Sequence, residues 1–262
     1  MNVDIQSPSN RRIVETARLK KRRARDAEAR FLIEGTRETE RAAEAGASID
    51  EVFLCPEIAP PDTASLADRI AGTGSRLTTV SAIAFAKLTM RQNPDGIIVV
   101  APTWTTATES LDRDLVLVAE AIEKPGNLGA MFRTADATGA ALLIADATVD
   151  PFNPNVVRAS QGALFSVPFA VTDTEVAIAW ARDHGAIVVA TPGAKSDYWD
   201  TDLSRRVSIV IGSEHAGISE AWRDAGTPVR IPMAGSADSL NASVSAAVLL
   251  YEAVRQRGST ES

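Results

Sequence analysis

Three short stretches carry polar residues where chemistry is commonly done. In EKPGNLGAMFRTADATGA (123–140), Gly126, Asn127 and Gly129 follow the apolar run LVLVAEAI, and Arg133 comes about one turn later. The glycines permit tight turning and close backbone approach. Asn127 suits a helix N-cap, and the amides behind it can hold an anion. The pattern is neither G-x-G-x-x-G nor a phosphate loop ending in Gly-Lys-Ser/Thr, so a dinucleotide or ATP site has little support. The second stretch is VSIVIG running into SEHAGIS. It puts Glu214 at the carboxyl end of an apolar strand, where open α/β sheets place their sites. The third, RIPMAGSADSLNASVSAAVLLYE, joins a short strand to a long apolar helix through a loop bearing Ser239 and Asn241. Each stretch has a plainer reading: a capped helix whose Arg133 reaches solvent, a helix-entry acid at Glu214, an ordinary cap at Ser239 or Asn241. Three polar-tipped corners in one half of a chain point to a site.

The elements that must position these corners form two textures. Residues 1–101 open with a basic helix, RRIVETARLKKRRARDAEAR. Strands FLIE, EVFLC, RLTTV and GIIVVAP follow, with helices TRETERAAEAG, ASLADRIAG and SAIAFAKLT between them. That alternation predicts a small α/β domain. The polar, threonine-rich residues 102–112 read as a linker. Residues 113–262 repeat the alternation with longer apolar strands: LVLVAEAI, ALLIAD, VPFAVT, AIVVAT, VSIVIG and PVRIPM. Nearly continuous Val, Ile, Leu and Ala predicts a parallel sheet buried on both faces. PNVVRASQGALF, TEVAIAWARDHG and NASVSAAVLLYEAVRQR supply helices.

Composition narrows the function classes. The 262 residues are 45% hydrophobic, enough for one large domain or two modest ones. A net charge of −7 argues against indiscriminate nucleic-acid binding but leaves room for a local basic surface. One cysteine, Cys55, excludes an intramolecular disulfide, and two distant histidines with no Cys/His cluster give no reason to expect a metal. The N-terminus lacks the form of a signal peptide, and no apolar run approaches the ~20 residues of a membrane span. The expectation is a cytoplasmic protein without membrane partners.

PGNLGAMFRTADATGA, IGSEHAGIS and IPMAGSADSLNASVSAAVLLYEAVRQR resemble the three motifs of the SpoU/TrmH ribose 2′-O-methyltransferases of the SPOUT superfamily, in their order and spacing. SPSNRRIVETARLKKRRARDAEARFLIEG is similar to the opening of the ribosomal-protein-like α/β domain with which many members bind RNA. The resemblance implies a parallel-sheet catalytic domain with a C-terminal trefoil knot and a homodimer with sites near its interface. It also implies S-adenosylmethionine, bent in the knot pocket and lined by Thr191, Gly212, Ser213, Glu214, Ile231, Met233, Leu240 and Asn241. The family's polar residues carry over onto Asn127, Arg133, Glu214, Ser239 and Asn241. One departure is Glu214-His215-Ala216-Gly217 where many members have Glu-Gly; His215 either touches RNA or faces solvent.

The implied activity is methyl transfer to a ribose 2′-OH in structured RNA, with large-subunit ribosomal RNA favoured by the extra N-terminal domain. Transfer RNA is the other substrate, and a non-catalytic ribosomal-RNA-binding or assembly factor the other class. A guanidinium rarely gives up its proton, so Arg133 is expected to stabilise the developing alkoxide and fork a phosphate. Asn127, Ser239 and Asn241 are expected to fix Arg133, the loop and the ribose, and Glu214 to orient Arg133 or the loop amides. For RNA contact the sequence offers Arg18, Lys20, Lys21, Arg22, Arg23 and Arg25, with Arg158 as a second place. The plainer reading is a solvated charged face. Tyr198 and Trp199 either stack a base or anchor an exposed loop.

Overall fold

The computed structural model describes residues 3–258. The expected first and last domains extend to residues 1 and 262, whose immediate neighbourhoods lie outside the described residues. Packing divides the chain into two compact units. One holds the described residues up to Trp104 together with Asp150–Phe165; the other holds Thr105–Val149 and the chain from Ser166 onward.

The first unit is a four-stranded mixed sheet with helices. Its strands are β1 (Arg30–Glu34), β2 (Glu51–Leu54), β3 (Arg76–Thr79) and β4 (Ile97–Pro102). They lie in the order β1-β4-β2-β3, antiparallel except for the β2/β3 pair. Helices α3 (Thr36–Glu44), α4 (Pro61–Ala71) and α5 (Ala82–Leu88) stand where the alternation predicted them. Ile13, Leu19, Leu32, Phe53, Phe85, Leu88 and Ile98 share one buried cluster.

The basic N-terminal run is not one helix. It breaks into α1 (Arg11–Arg18) and α2 (Arg22–Glu28), with Leu19 buried at the break and Lys21 in extended conformation. Arg25 explains the break. Its Nη1 donates to the carbonyls of Leu19 (2.9 Å) and Lys20 (3.0 Å), which the end of α1 leaves without helical partners. Its Nη2 meets Asp150 at 2.6 Å, and the side chain is only 2% exposed. Lys20 turns to the end of α5, donating to the carbonyls of Lys87 (2.8 Å) and Thr89 (2.9 Å). Burial holds the Lys20 ammonium below the usual lysine range.

The stretch PNVVRASQGALF forms α7 (Pro154–Ser160) and a 3₁₀ turn (Ala163–Phe165). Sequence alternation assigned it to the second domain; by packing it groups with the first unit. The reason is aromatic. Phe152 lies 4.8 Å from Phe31 and 4.7 Å from Trp104, ring centre to ring centre, and Phe165 joins the same cluster. The expected linker is therefore anchored at both ends, by Trp104 here and by Leu111 in the second unit's core.

The second unit is a seven-stranded parallel sheet. Its strands are β5 (Leu115–Glu120), β6 (Ala141–Ala145), β7 (Phe169–Thr172), β8 (Ala186–Ala190), β9 (Ser196–Asp197), β10 (Val207–Ile211) and β11 (Thr227–Arg230). The order is β7-β6-β5-β10-β8-β11-β9. Every residue of β5, β6 and β10 is buried, as their unbroken apolar sequences require. Helices α6 (Pro125–Thr138) and α10 (Ala242–Gly258) pack on each other, and α10 also covers β5 and β10. Helices α8 (Thr174–His184) and α9 (Glu220–Ala225) pack together and against β8, with Trp222 of α9 fully buried. The sequence reading missed β9 and α9, which are too short to show a period.

Candidate active site at the carboxyl edge of the parallel sheet

The first corner is built by proline rather than by asparagine. Pro125 occupies the first turn of α6, where its missing N–H costs no hydrogen bond. The cap position is Lys124, which makes no side-chain cap bond. Asn127 is therefore not the N-cap expected from the sequence. The helix starts at Pro125, three residues earlier than an Asn127 cap would place it, which leaves the Asn127 amide for other partners.

Those partners come from the other two corners. Asn127 Nδ2 donates to Glu214 Oε1 at 2.8 Å. Asn241 Nδ2 donates to the same oxygen at 2.6 Å and to Asn127 Oδ1 at 3.1 Å. The Lys124 ammonium holds Glu214 Oε2. Asn241 also caps α10 in the ordinary way: its Oδ1 accepts from the N–H of Ser243 at 2.9 Å. The cap and site readings of Asn241 are both true, one for each end of its amide.

Glu214 is presented by a tight turn at the end of β10. The Gly217 N–H donates to Ser213 O at 3.0 Å, and the Ala216 N–H donates to Ser213 Oγ at 3.0 Å. Only glycine fits at 212, because a Cβ there would lie 2.3 Å from the Gly217 carbonyl oxygen. Beyond the turn, the buried Glu120 carboxylate at the end of β5 accepts from the Ser219 N–H at 3.0 Å. Sequence reasoning missed Glu120 and Lys124. The available signal was an acid ending an otherwise apolar strand, and a lysine just before the helix-starting proline.

Beside this cluster lies a cavity of about 580 Å³. Thr191, Gly212, Ser213, Glu214, Ile231, Met233 and Leu240 all line it, as does Ser239. Asn241, expected on the same wall, is not among its lining residues and reaches it only through its bond to Glu214. A smaller cavity of about 330 Å³ is lined by Lys124, Asn127, Glu214 and His215. Glu214 and His215 belong to the walls of both. The larger cavity has the volume of a cofactor site. Thr191 and Ser239 are hydroxyl residues of its wall, Ile231, Met233 and Leu240 are apolar ones, Glu214 and Asp238 are acidic, and the one arginine there, Arg230, is paired with Asp197. Such a wall suits a nucleoside that carries a positive centre.

Arg133 is not part of the cluster. It is exposed on α6 with no hydrogen bond or ion pair to any described residue. Six residues separate it from Asn127, about 600° of helix, so the two project from different faces. The expectation that Asn127, Ser239 and Asn241 fix Arg133, or that Glu214 orients it, does not hold within one chain.

The expected RNA-contact residues divide. Arg18, Lys21, Arg22 and Arg23 are exposed. Arg25 is buried, with Nη1 capping α1 and Nη2 pairing with Asp150, so its assignment to RNA is corrected. Lys20 is half-buried and spends two donors on α5. Arg158 is exposed and groups by packing with the first unit. Trp199 is 49% exposed and stacks edge-on with Tyr198. Among the described residues there is no group of three metal-binding side chains, and no helix is long and apolar enough to cross a membrane.

Known proteins are similar to this chain in sequence and fold. The pattern of the SpoU rRNA Methylase family matches residues 114–251, and that of the MRM3-like substrate binding domain matches residues 10–99. The chain is 29% identical to the 23S rRNA (guanosine(2553)-2′-O)-methyltransferase RlmP of Bacillus subtilis, over 94% of this chain and 97% of that protein. The crystal structure of an RNA 2′-O ribose methyltransferase superposes with a TM-score of 0.83 at 43% identity, covering 97% of this chain and 98% of the other. The AdoMet-bound rRNA methyltransferase of Sinorhizobium meliloti superposes with a TM-score of 0.87 at 29% identity, over 96% and 97% of the two chains. With its three motifs meeting around Glu214 and the family pattern spanning more than half its length, the chain belongs to the SpoU rRNA methylase family.

Proposed function

We propose that this protein transfers the methyl group of S-adenosylmethionine to a ribose 2′-OH in large-subunit ribosomal RNA, in the cytoplasm. The observation that carries the reading is the meeting of Asn127, Glu214 and Asn241 beside the cavity lined by Thr191, Gly212 and Leu240. The 23S ribosomal RNA named for the Bacillus relative supports the substrate class.

S-adenosylmethionine supplies an electrophilic methyl on a sulfonium. Thr191, Gly212, Ser213, Glu214, Ile231, Met233 and Leu240 would hold it in the larger cavity. The chain's own task is alignment, which can be worth roughly 7–11 kcal/mol. Asn127 and Asn241 fix the Glu214 carboxylate, and so fix the turn that divides the two cavities. Ser239 is part of the wall of the larger one. Arg133 keeps its proton and stabilises the alkoxide as the 2′-OH proton passes to an RNA phosphate oxygen or to solvent.

Because Arg133 faces away from its own chain's cluster, the reading includes a homodimer in which a second copy supplies it. Support comes from α10, which leaves Val244, Tyr251 and Val254 exposed at 46%, 53% and 37%. The reading also includes the trefoil knot. After β11 has paired with β8, the chain returns through the cavity-lining residues 231–240 to lay α10 over β5 and β10. The test is transfer of labelled methyl from S-adenosylmethionine to ribosomal RNA from a strain lacking the gene. Label in ribose, lost with Arg133→Ala, is expected; no transfer to any RNA despite cofactor binding contradicts the reading.

A further inference from the structure

The first unit holds a cavity of about 700 Å³ that the reaction does not use. Its walls come from three distant places in the sequence: Arg37 in the first turn of α3, the loop from Met90 to Asp95, and Arg158 with Gln161 at the end of α7.

The floor is rigid. Arg91 Nη2 donates to Glu38 Oε2 at 2.9 Å and to Glu34 O at 2.8 Å, while its Nη1 donates to Asp95 Oδ2 at 3.1 Å. The loop is tied at both ends. The Met90 N–H donates to Glu34 Oε2 at 2.9 Å, and Asp95 Oδ2 accepts from the Thr36 N–H at 3.1 Å. Gln161 is held in left-handed conformation, at φ 51°, as the chain leaves α7.

The charges sort themselves. Glu38 and Asp95 both face Arg91, which leaves Arg37 and Arg158 to set the sign at the mouth. Arg37 is exposed and makes no hydrogen bond or ion pair with a described residue. Arg158 is exposed and spends one contact on Asn155, at 3.2 Å. Gln92 and Asn93 add exposed side-chain amides, which can both donate and accept. Forked cations suit phosphate oxygens. Amides suit the edges of a base that is not already paired. The volume is that of a small-ligand site, in a hollow that opens to solvent.

We propose that this cavity holds an unpaired nucleotide of the RNA substrate. Arg37 and Arg158 would grip its flanking phosphates, and Gln92, Asn93 and Gln161 would meet its base. The inference rests on the RNA-methylating reading and adds where, on the first unit, the substrate is held.

The experiment measures binding of the full-length protein to a short, labelled, mixed-sequence single-stranded RNA and to its duplex, across a salt series. The wild type is expected to favour the single strand. Arg37→Ala with Arg158→Ala is expected to lose about tenfold or more in single-strand affinity. It should also flatten the log–log salt slope by roughly 1.4, since each single-strand phosphate contact contributes about 0.7. Gln92→Ala with Asn93→Ala is expected to weaken binding roughly three- to tenfold and leave the slope alone, because no charge is removed. Melting temperature and S-adenosylmethionine affinity should not move in either variant. A wild type that does not bind the single strand overturns the proposal. So does an arginine variant with unchanged affinity and slope, or equal losses for strand and duplex. Methyl transfer by the wild type separates the two readings. If transfer fails while the arginine variant shows the expected loss, the reaction is discarded and the cavity stands. If transfer succeeds while the variant binds normally, the reverse holds.

Discussion

Two charged corners look alike in sequence and differ in the fold. Around residues 18–25, six cations crowd together, and the eye assigns them to phosphate. Around residues 124–133, a lysine, an asparagine and an arginine are spread over a helix start. In the first corner Arg25 and Lys20 turn inward and serve the backbone, as caps for α1 and α5. In the second, Lys124 and Asn127 converge on a carboxylate from a strand end some ninety residues away, and Arg133 stays unengaged. The difference lies in what each side chain finds within reach. A density of charge says nothing about direction. Strand ends, a proline start and glycine turns do fix direction.

The largest effect is expected at Arg25. Arg25→Ala leaves Asp150 without its cation and the end of α1 uncapped, and is expected to destabilise the protein by about 3–5 kcal/mol. Chemical denaturation measures this. A change below about 1 kcal/mol would return Arg25 to the surface. Arg133→Ala should show the opposite profile, with melting unchanged and turnover down about 10²–10³-fold, the effect of losing one charge-stabilising donor. Arg133→Lys keeps the charge and loses the fork; normal turnover there would remove the forked contact from the mechanism.

Asn241 sharpens the contrast, because one amide does both kinds of work. Asn241→Asp keeps the cap oxygen and loses the donor to Glu214, setting two carboxylates side by side. Cap stability should fall by well under the ~1 kcal/mol of a lost cap, while S-adenosylmethionine affinity, read by calorimetry, should fall about tenfold. Equal affinity would mean that the Glu214 network does not shape the cavity. The smallest stability effect is expected for Arg18→Ala, Arg22→Ala and Arg23→Ala together, within about 0.5 kcal/mol. A visible drop in the salt slope of RNA binding would then show these exposed cations meeting phosphates.

These contrasts mark what could be read in advance. The strands of the parallel sheet were legible because residues such as Val116, Leu117 and Val118 are buried on both faces and leave an unbroken apolar run. The residues lining the larger cavity were legible through family motifs, since no period in the sequence brings Thr191 near Leu240. Asn127 was found for a wrong local reason: Pro125 starts the helix, and the asparagine is left to bind Glu214. Arg25 was misjudged because its partner, Asp150, is distant in sequence. The same distance hid the place of Phe152 and Phe165, whose aromatic partners Phe31 and Trp104 lie in a different stretch. Trp222 sits in a helix of six residues, too short for a pattern, although it fills a core.

The grouping of Asp150–Phe165 with the first unit also has a consequence in time. When Trp104 leaves the ribosome, the aromatic cluster still lacks Phe152 and Phe165. At ~5–20 residues per second, the intervening chain takes roughly 3–12 seconds to make. For that interval Phe31 and Trp104 have each other but not the two rings that complete the cluster, so the first unit finishes packing only after Thr105–Val149 of the second unit has been made.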